Sequence, residues 1–302
     1  MKHLIILNGM AGSEKAGSFK EKIIEEMKGL DYELHLTTAP KEATKFIREY
    51  LKENKEETVR VYACGGDGTV FECANGIVGA NNAELAIYPI GSGNDFVKCY
   101  GDKERFLNMK KLSEAESKPV DLTKISGPTL EEPLYSINVI NFGFDAIVGA
   151  VGNKNKEKGL DDPYGKALKV AIFKGRFNKT VVTADGEKLN KKKLLLCTIA
   201  QGKYVGGKFC CAPKSVNDDG LLDVCLLRTR PLLAFLGIWK PYTNGEHLDN
   251  EKYRKTLEYR QVKKVEIDAP KDIDVCIDGE MIVGSHFDVE IIPQAIKLVI
   301  PE

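Results

Sequence analysis

Cys64-Gly65-Gly66-Asp67-Gly68-Thr69 follows an apolar run at 58–63 and precedes a helix-patterned stretch at 70–78. Glycine lets the backbone come close to a bulky anion. Amides at the start of the following helix then point at it. Asp67 would repel a phosphate, but it suits a ligand, direct or through water, of the Mg²⁺ that accompanies a nucleotide. The plainer reading is a tight turn with Asp67 capping the helix. A second loop, Pro89-Ile90-Gly91-Ser92-Gly93-Asn94-Asp95-Phe96, also follows an apolar strand. Its plainer reading is again a turn, capped by Asn94 or Asp95. Two such loops at one sheet edge make a cleft floor with amide donors and two carboxylates, Asp67 and Asp95.

Outward from these loops, short apolar runs at 4–7, 32–36, 58–63 and 85–90 alternate with helical patterns at 19–30, 43–51 and 70–78. That alternation predicts a parallel sheet with helices on its faces. Ligands in such sheets bind beyond the carboxyl ends of the strands. Near Asp121 the pattern changes. Short β-rich runs at 136–141, 180–184, 194–200, 222–227, 262–267, 275–277 and 289–292 predict an antiparallel β-sandwich with few helices. Residues 154–158 and Asp185-Gly186 read as solvated loops, and 232–241 as a short helix. The expected domains are 1–122, α/β and nucleotide-binding, and 123–293, all-β.

The 302 residues include 43% hydrophobic and 29% charged side chains, enough apolar content for a packed core. The 44 basic and 44 acidic residues cancel, which gives no electrostatic case for nucleic acid. Eight cysteines without a Cys-x-x-Cys pair read as free thiols in a reducing cytoplasm. No apolar run approaches the roughly 18 residues that cross a bilayer, so any membrane contact is peripheral. The chain has no Gly-x-x-x-x-Gly-Lys-Ser/Thr loop, no Gly-x-Gly-x-x-Gly after its first strand and no protein-kinase signature set.

The ordered motifs resemble the diacylglycerol kinase catalytic-domain family, which includes bacterial lipid kinases and sphingosine kinases. The resemblance covers essentially the whole chain. Asn8-Gly9-Met10-Ala11-Gly12 looks like the family's opening element, and Thr37-Thr38 like its nucleotide-contacting threonines. Gly65 to Thr69 and Gly91 to Phe96 match its two glycine loops. Asn141-Phe142-Gly143-Phe144-Asp145 is similar to the start of its second domain. Tyr204-Val205-Gly206-Gly207, Ala212-Pro213 and Asp218-Asp219-Gly220-Leu221-Leu222-Asp223 match its central β segment, and Asp278-Gly279-Glu280 its late catalytic element.

The resemblance implies an ATP- and Mg²⁺-dependent lipid kinase acting at the membrane surface, with room for a homodimer. Asn8, Thr37 or Thr38, Gly65, Gly66, Asp67, Gly68, Thr69, Val70, Phe71 and Ser92 would contact ATP. Glu280 would be the base on the acceptor hydroxyl, with Asp67 and Asp95 organising Mg²⁺. Asp219 and the carbonyls of Val216 and Leu221 would hold a second, structural Mg²⁺. The end of the chain, 294–302, would return to the first domain. Three residues depart from the family pattern: Gly9 for proline, Phe71 for asparagine, and Glu14 where glycine is common. An NAD kinase-like enzyme would need an Asn-Glu element after the glycine loop, and Gly93-Asn94-Asp95 stands there instead. A non-catalytic nucleotide-binding protein would have no need of Asp67, Asp95 and Glu280 together.

Other candidates are less specific. Asp121 reads either as a support near Glu280 or as an exposed linker acid. His247 has a family-like position without a chemical role. His3, His35 and His286 read as ordinary strand or surface residues, and Cys64 and Cys276 as buried small hydrophobes. Lys154, Lys156, Lys158, Lys166 and Lys174 flank apolar stretches and could hold anionic headgroups.

Overall fold

The computed structural model describes residues 1–9, 13–174, 178–191, 193–229 and 237–302, with the backbone alone at 13–18, 153, 156–157, 163–164 and 173–174. The chain divides into two compact units, Met1–Leu122 with Pro293–Glu302, and Thr123–Ile292.

The first unit is an α/β domain. Strands β1 (Lys2–Asn8), β2 (Tyr32–Thr37), β3 (Val59–Gly65) and β4 (Ala83–Pro89) are all parallel, in the order β4-β3-β1-β2. All seven residues of β3 and of β4 are buried, as expected for central strands covered on both faces. Helices α1 (Ser13–Glu26), α2 (Glu42–Glu53), α3 (Asp67–Ile77) and α4 (Met109–Glu114) complete the unit. The last strand, β16 (Glu280–Val299), ends here, pairing Lys297 with Glu84 and Leu298 with Leu85 in parallel register. At the far end of the sheet Arg60 is buried against Glu84 (2.8 and 3.0 Å) and donates to the carbonyls of Leu112 and Ser113 (2.6 and 2.9 Å). That guanidinium satisfies carbonyls at the end of α4, which would otherwise lack partners.

Helix α1 begins at Ser13, well before the expected stretch at 19–30, and ends at Glu26. Residues 13–18 contain one non-glycine apolar residue, Ala16, so the helical period carries no signal there.

The second unit is β-sandwich-like. Strand β5 (Ser117–Ser126) reaches into it from the first unit's residues, and β6 (Leu134–Ser136) pairs with it at Thr123, Lys124 and Ile125. The central layer runs through β7 (Val139–Gly143), β10 (Leu194–Ala200), β13 (Leu222–Arg228) and β14 (Leu257–Val262), all antiparallel. The hairpin β8 (Val181–Ala184) and β9 (Glu187–Lys188) turns at Asp185-Gly186, as expected. Strand β15 (Lys264–Ile277) pairs with β8 through Val265 to Asp268 and with β7 through Val275 to Ile277. Its register against β16 shifts between Asp268 and Ile273, so one irregular strand serves both layers. The small hairpin β11 (Tyr204–Val205) and β12 (Phe209–Cys210) stands apart from these layers.

Two helices correct the sequence reading of this unit. Helices α5 (Phe144–Glu157) and α6 (Pro163–Lys174) lie where few helices were expected, and α5 includes most of the supposed loop at 154–158. Gly149 and Gly152 interrupt the apolar spacing of α5, and its last turn is polar, so neither period nor propensity marked it. The helix expected at 232–241 falls partly outside the described residues. Within them, α7 (Trp239–Asn244) forms and is closed by Gly245 at φ 75°.

Candidate active site

In the first unit the connection from β1 runs to β2 on one side, while β3 and β4 lie on the other. A crevice opens at such a reversal, beyond the strand ends. Asn8 and Gly65 end the two strands that flank it, and the Asn8 amide donates to Thr69 Oγ1 at 3.3 Å. Helix α3 starts here with Gly66 as its cap residue and no side-chain cap, which leaves amides available to an anion.

Asp67 joins the two glycine loops. Its Oδ2 accepts the Asn94 amide at 2.9 Å and its Oδ1 the Asp95 amide at 2.7 Å. The plainer reading, in which Asp67 caps its own helix, is thereby set aside. Asn94 takes a left-handed φ of 51° to present these amides, and its side chain donates back to the Gly91 carbonyl at 2.6 Å. The glycines are required by this approach. A Cβ on Gly91 would stand 2.3 Å from Gly66 Cα, and one on Gly93 would stand 2.5 Å from Asp67 Oδ2. A Cβ on Gly65 would meet Thr69 Oγ1 at 2.1 Å. Burial raises the pKa of Asp67, and the nearby Asp95 carboxylate raises it further. Asp95 is buried and paired with Lys98 at 2.6 Å. A bound cation would relieve the repulsion between the two carboxylates, so this donor set fits a divalent metal beside a phosphate.

The remaining residues expected at the nucleotide are placed as follows. Ser92 is exposed at the tip of the second loop. Thr37 is buried, with its hydroxyl turned to the Leu7 carbonyl at 3.5 Å. The Thr38 amide and hydroxyl both donate to Glu42 Oε2, at 2.8 and 3.1 Å. Val70 and Phe71 point into the core, with 5% and 8% of their surface exposed. Gly68 lies within the first turn of α3.

In the second unit, Asp278-Gly279 makes the tight hairpin turn between β15 and β16, with φ of 50° and 99° at the two residues. Glu280 is the first residue after it, exposed and opposite Ile277. The turn is anchored by the buried Asp278 carboxylate. It accepts the Ser136 hydroxyl (2.6 Å) and the amides of Ile137 (2.8 Å), Val139 (2.8 Å) and Asn138 (3.2 Å). Burial nevertheless pushes its pKa up to about 6.

A model described as the diacylglycerol kinase catalytic domain matches residues 2–125. A second, described as the YegS C-terminal NAD kinase beta sandwich-like domain, matches residues 138–300. The chain belongs to the diacylglycerol kinase catalytic-domain family. A protein of Pseudomonas aeruginosa named "Probable lipid kinase YegS-like" is 26% identical, over 99% of this chain and 94% of its own. The "Diacylglycerol kinase" of Bacillus subtilis is 25% identical, over 91% of this chain and 88% of its own. A crystal structure of a diacylglycerol kinase from Bacillus anthracis shares the fold with a TM-score of 0.72 at 23% identity, covering 99% of this chain and 96% of that one.

Against the diacylglycerol kinase pattern, Gly9 keeps the first turn closed by donating its amide to the Thr37 carbonyl at 3.2 Å. Met10, Ala11 and Gly12 and the Glu14 side chain lie outside the described residues. Asp219 is exposed; its Oδ1 takes the Leu221 amide at 3.0 Å and its Oδ2 the Gln261 amide at 3.3 Å. The Leu221 carbonyl accepts from Gln201 at 2.6 Å, and Val216 is exposed. Among the described residues no group of three or more His, Cys, Asp or Glu could hold a metal, so a cation here would depend on carbonyls. Asp121 is 1% exposed and accepts the Gln294 amide at 2.7 Å, which rules out the exposed linker acid. His3, expected as ordinary, is buried against the Tyr62 hydroxyl at 2.7 Å, and Cys276 is half-buried rather than buried.

Sequence reasoning missed the anchoring role of Asp278, the Lys98 partner of Asp95 and the Arg60–Glu84 pair. Asp-Gly marks a hairpin turn, but nothing local shows that the aspartate will be buried under three amides. Asp95 and Lys98 stand at helical spacing, a signal that was available.

Proposed function

We propose that the chain is an ATP- and Mg²⁺-dependent kinase that transfers the γ-phosphate to a hydroxyl of a lipid, diacylglycerol or a related lipid alcohol. The observation that carries this reading is the joint at Asp67, which fixes two glycine loops beside the uncapped start of α3. The names of the relatives support a lipid as acceptor.

In this reading the loop from Gly65 to Phe71, with Asn8, Thr37, Thr38 and Ser92, holds the nucleotide. Val70 and Phe71 take part through their backbone, since their side chains are in the core. Asp67 and Asp95 hold Mg²⁺, which when bound neutralises phosphate charge. Glu280 accepts the proton of the acceptor hydroxyl, because a protonated alcohol is a poor nucleophile. Asp219, with the carbonyls of Val216 and Leu221, holds a second, structural Mg²⁺. Incubation with labelled ATP and total lipid extract tests the reading: label should appear in a lipid. The likeness of the second unit to an NAD kinase β-sandwich leaves one competitor, an NAD kinase. Label in NAD and in no lipid would transfer the assignment to it.

A positioned base contributes about 10²–10⁴-fold. Glu280→Gln keeps the shape and should lower turnover by that order with ATP affinity almost unchanged. Near-normal turnover would remove Glu280 from the catalytic set.

No helix among the described residues is long and apolar enough to cross a membrane. Lys154, Lys158 and Lys166 are exposed on or beside α5 and α6; the side chains of Lys156 and Lys174 lie outside the described residues. Each basic residue near an anionic surface contributes about 1 kcal/mol. Turnover on vesicles should therefore rise with anionic lipid and fall with added salt. Indifference to both would argue for an acceptor dissolved in water.

A further inference from the structure

One face of the second unit's sheet carries a row of residues paired directly across neighbouring strands: Met281, Cys276, Asn141, Thr198, Cys225 and Tyr259. Directly opposed residues share a face, so these side chains form one line. Two polar side chains occupy its centre. Asn141 is 6% exposed and Thr198 0%, and among the described residues neither Asn141 Oδ1 nor Thr198 Oγ1 has a partner within hydrogen-bond distance, though the Tyr242 hydroxyl stands near Thr198. Over them lies Asp145, the second residue of α5, whose Oδ2 accepts the Tyr242 hydroxyl of α7 at 3.0 Å. Helix α5 packs on β7, β10 and β15, the strands that carry Asn141, Thr198 and Cys276. Burial raises the pKa of Asp145 to about 6. Asp145, Ile147, Val148, Leu168, Phe209 and Trp239 each keep some surface exposed, although the Asp145 carboxyl itself is buried.

A buried polar atom without a partner costs about 1–3 kcal/mol, and native proteins keep few of them. Here two stand side by side beneath a carboxylate. We propose that Asp145, Asn141 and Thr198 form a seat that selects the acceptor by taking a hydrogen-bond donor, a hydroxyl or ammonium group, of an amphiphilic molecule. This deepens the lipid kinase reading and rests on it. The Asp145 carboxylate and Asn141 Oδ1 offer acceptors only, so an ester or ether in the same place leaves them unpaired. A site built to hydrogen-bond a hydroxyl rejects analogues that lack it far better than an apolar pocket rejects a missing methylene. Asp145 and its neighbours are therefore specificity residues, distinct from the base and the nucleotide loops.

Trp239, the chain's single tryptophan, packs edge-on against Phe209 at 5.2 Å beside the same cluster and reports on the seat directly. Its fluorescence should change saturably with 1-monooctanoylglycerol. The 2,3-di-O-methyl ether of that molecule, with no donors, should bind at least about tenfold more weakly. Asp145→Asn should weaken binding of the diol by about tenfold. Thr198→Val should also weaken it, with a melting temperature equal to or above that of the parent, because it removes an unpartnered buried hydroxyl without changing shape. If Asp145→Asn fails to fold, Thr198→Val and the pair of probes still decide the matter. Equal binding of the two probes, or a lowered melting temperature in Thr198→Val with binding intact, would overturn the seat and assign the orphan atoms to a structural water only. Donor-dependent binding without phosphate transfer to any lipid sinks the kinase reading alone. Transfer with no donor preference sinks the seat alone.

Discussion

Both oxygens of Asp67 are engaged by amides of the neighbouring loop, so the same carboxylate that is proposed to hold Mg²⁺ also holds the crevice together. Asp67→Asn puts an amide N–H against one of those backbone N–H groups. Leaving one such group unpaired costs about 1–3 kcal/mol. The variant should therefore lose stability in urea without any nucleotide present, and extra Mg²⁺ should restore its Mg-ATP use only in part. Unchanged stability together with full rescue by Mg²⁺ would leave the metal as its single role. Asp145 makes a second prediction at this scale. Its folded pKa of about 6 lies above the roughly 3.9 of an unfolded aspartate, so the folded state holds the proton more tightly. Its contribution to stability is most favourable below pH 4, falls between about 4 and 6, and is level above that. Asp145→Asn should gain on the parent protein across that same interval, as urea midpoints at each pH would record. A variant midpoint that falls relative to the parent's as pH rises would have the wrong sign.

At the scale of elements, the parallel sheet was legible because its central strands are buried on both faces and so read as apolar runs, broken by Arg60 in β3 and Glu84 in β4. Strand β10 matches its expected run at 194–200. Strand β15 was harder, since its solvated and irregular middle hides that the runs near 265 and 275 belong to one strand. Helices α5 and α6 escaped for lack of a clean period. Within the candidate site, the glycines were legible as a pattern but not in their reason. They were read as room for phosphate, whereas Gly91 and Gly93 are needed first for the contact between two loops distant in sequence. The turn at Asp219 carries its own test. If carbonyls of Val216 and Leu221 complete a metal site with it, a chelator should lower the melting temperature of the parent and leave Asp219→Asn unmoved. An equal effect of chelator on both would place the sensitive metal elsewhere.

At the scale of the whole molecule, the first unit is assembled from two stretches of chain, Met1–Leu122 and Pro293–Glu302. The later stretch supplies the strand beside β4, and the Asp121 carboxylate receives it at the Gln294 amide, where the backbone turns through a φ of 51°. This join has a consequence for synthesis on the ribosome. The segments bearing Asp67 and Asp95 leave the exit tunnel early, yet the neighbour of β4 arrives only after all of Thr123–Ile292 has been made. Until then β4 presents an open edge, a template on which other chains can pair. The nascent first unit therefore waits, unfinished, through the birth of the second.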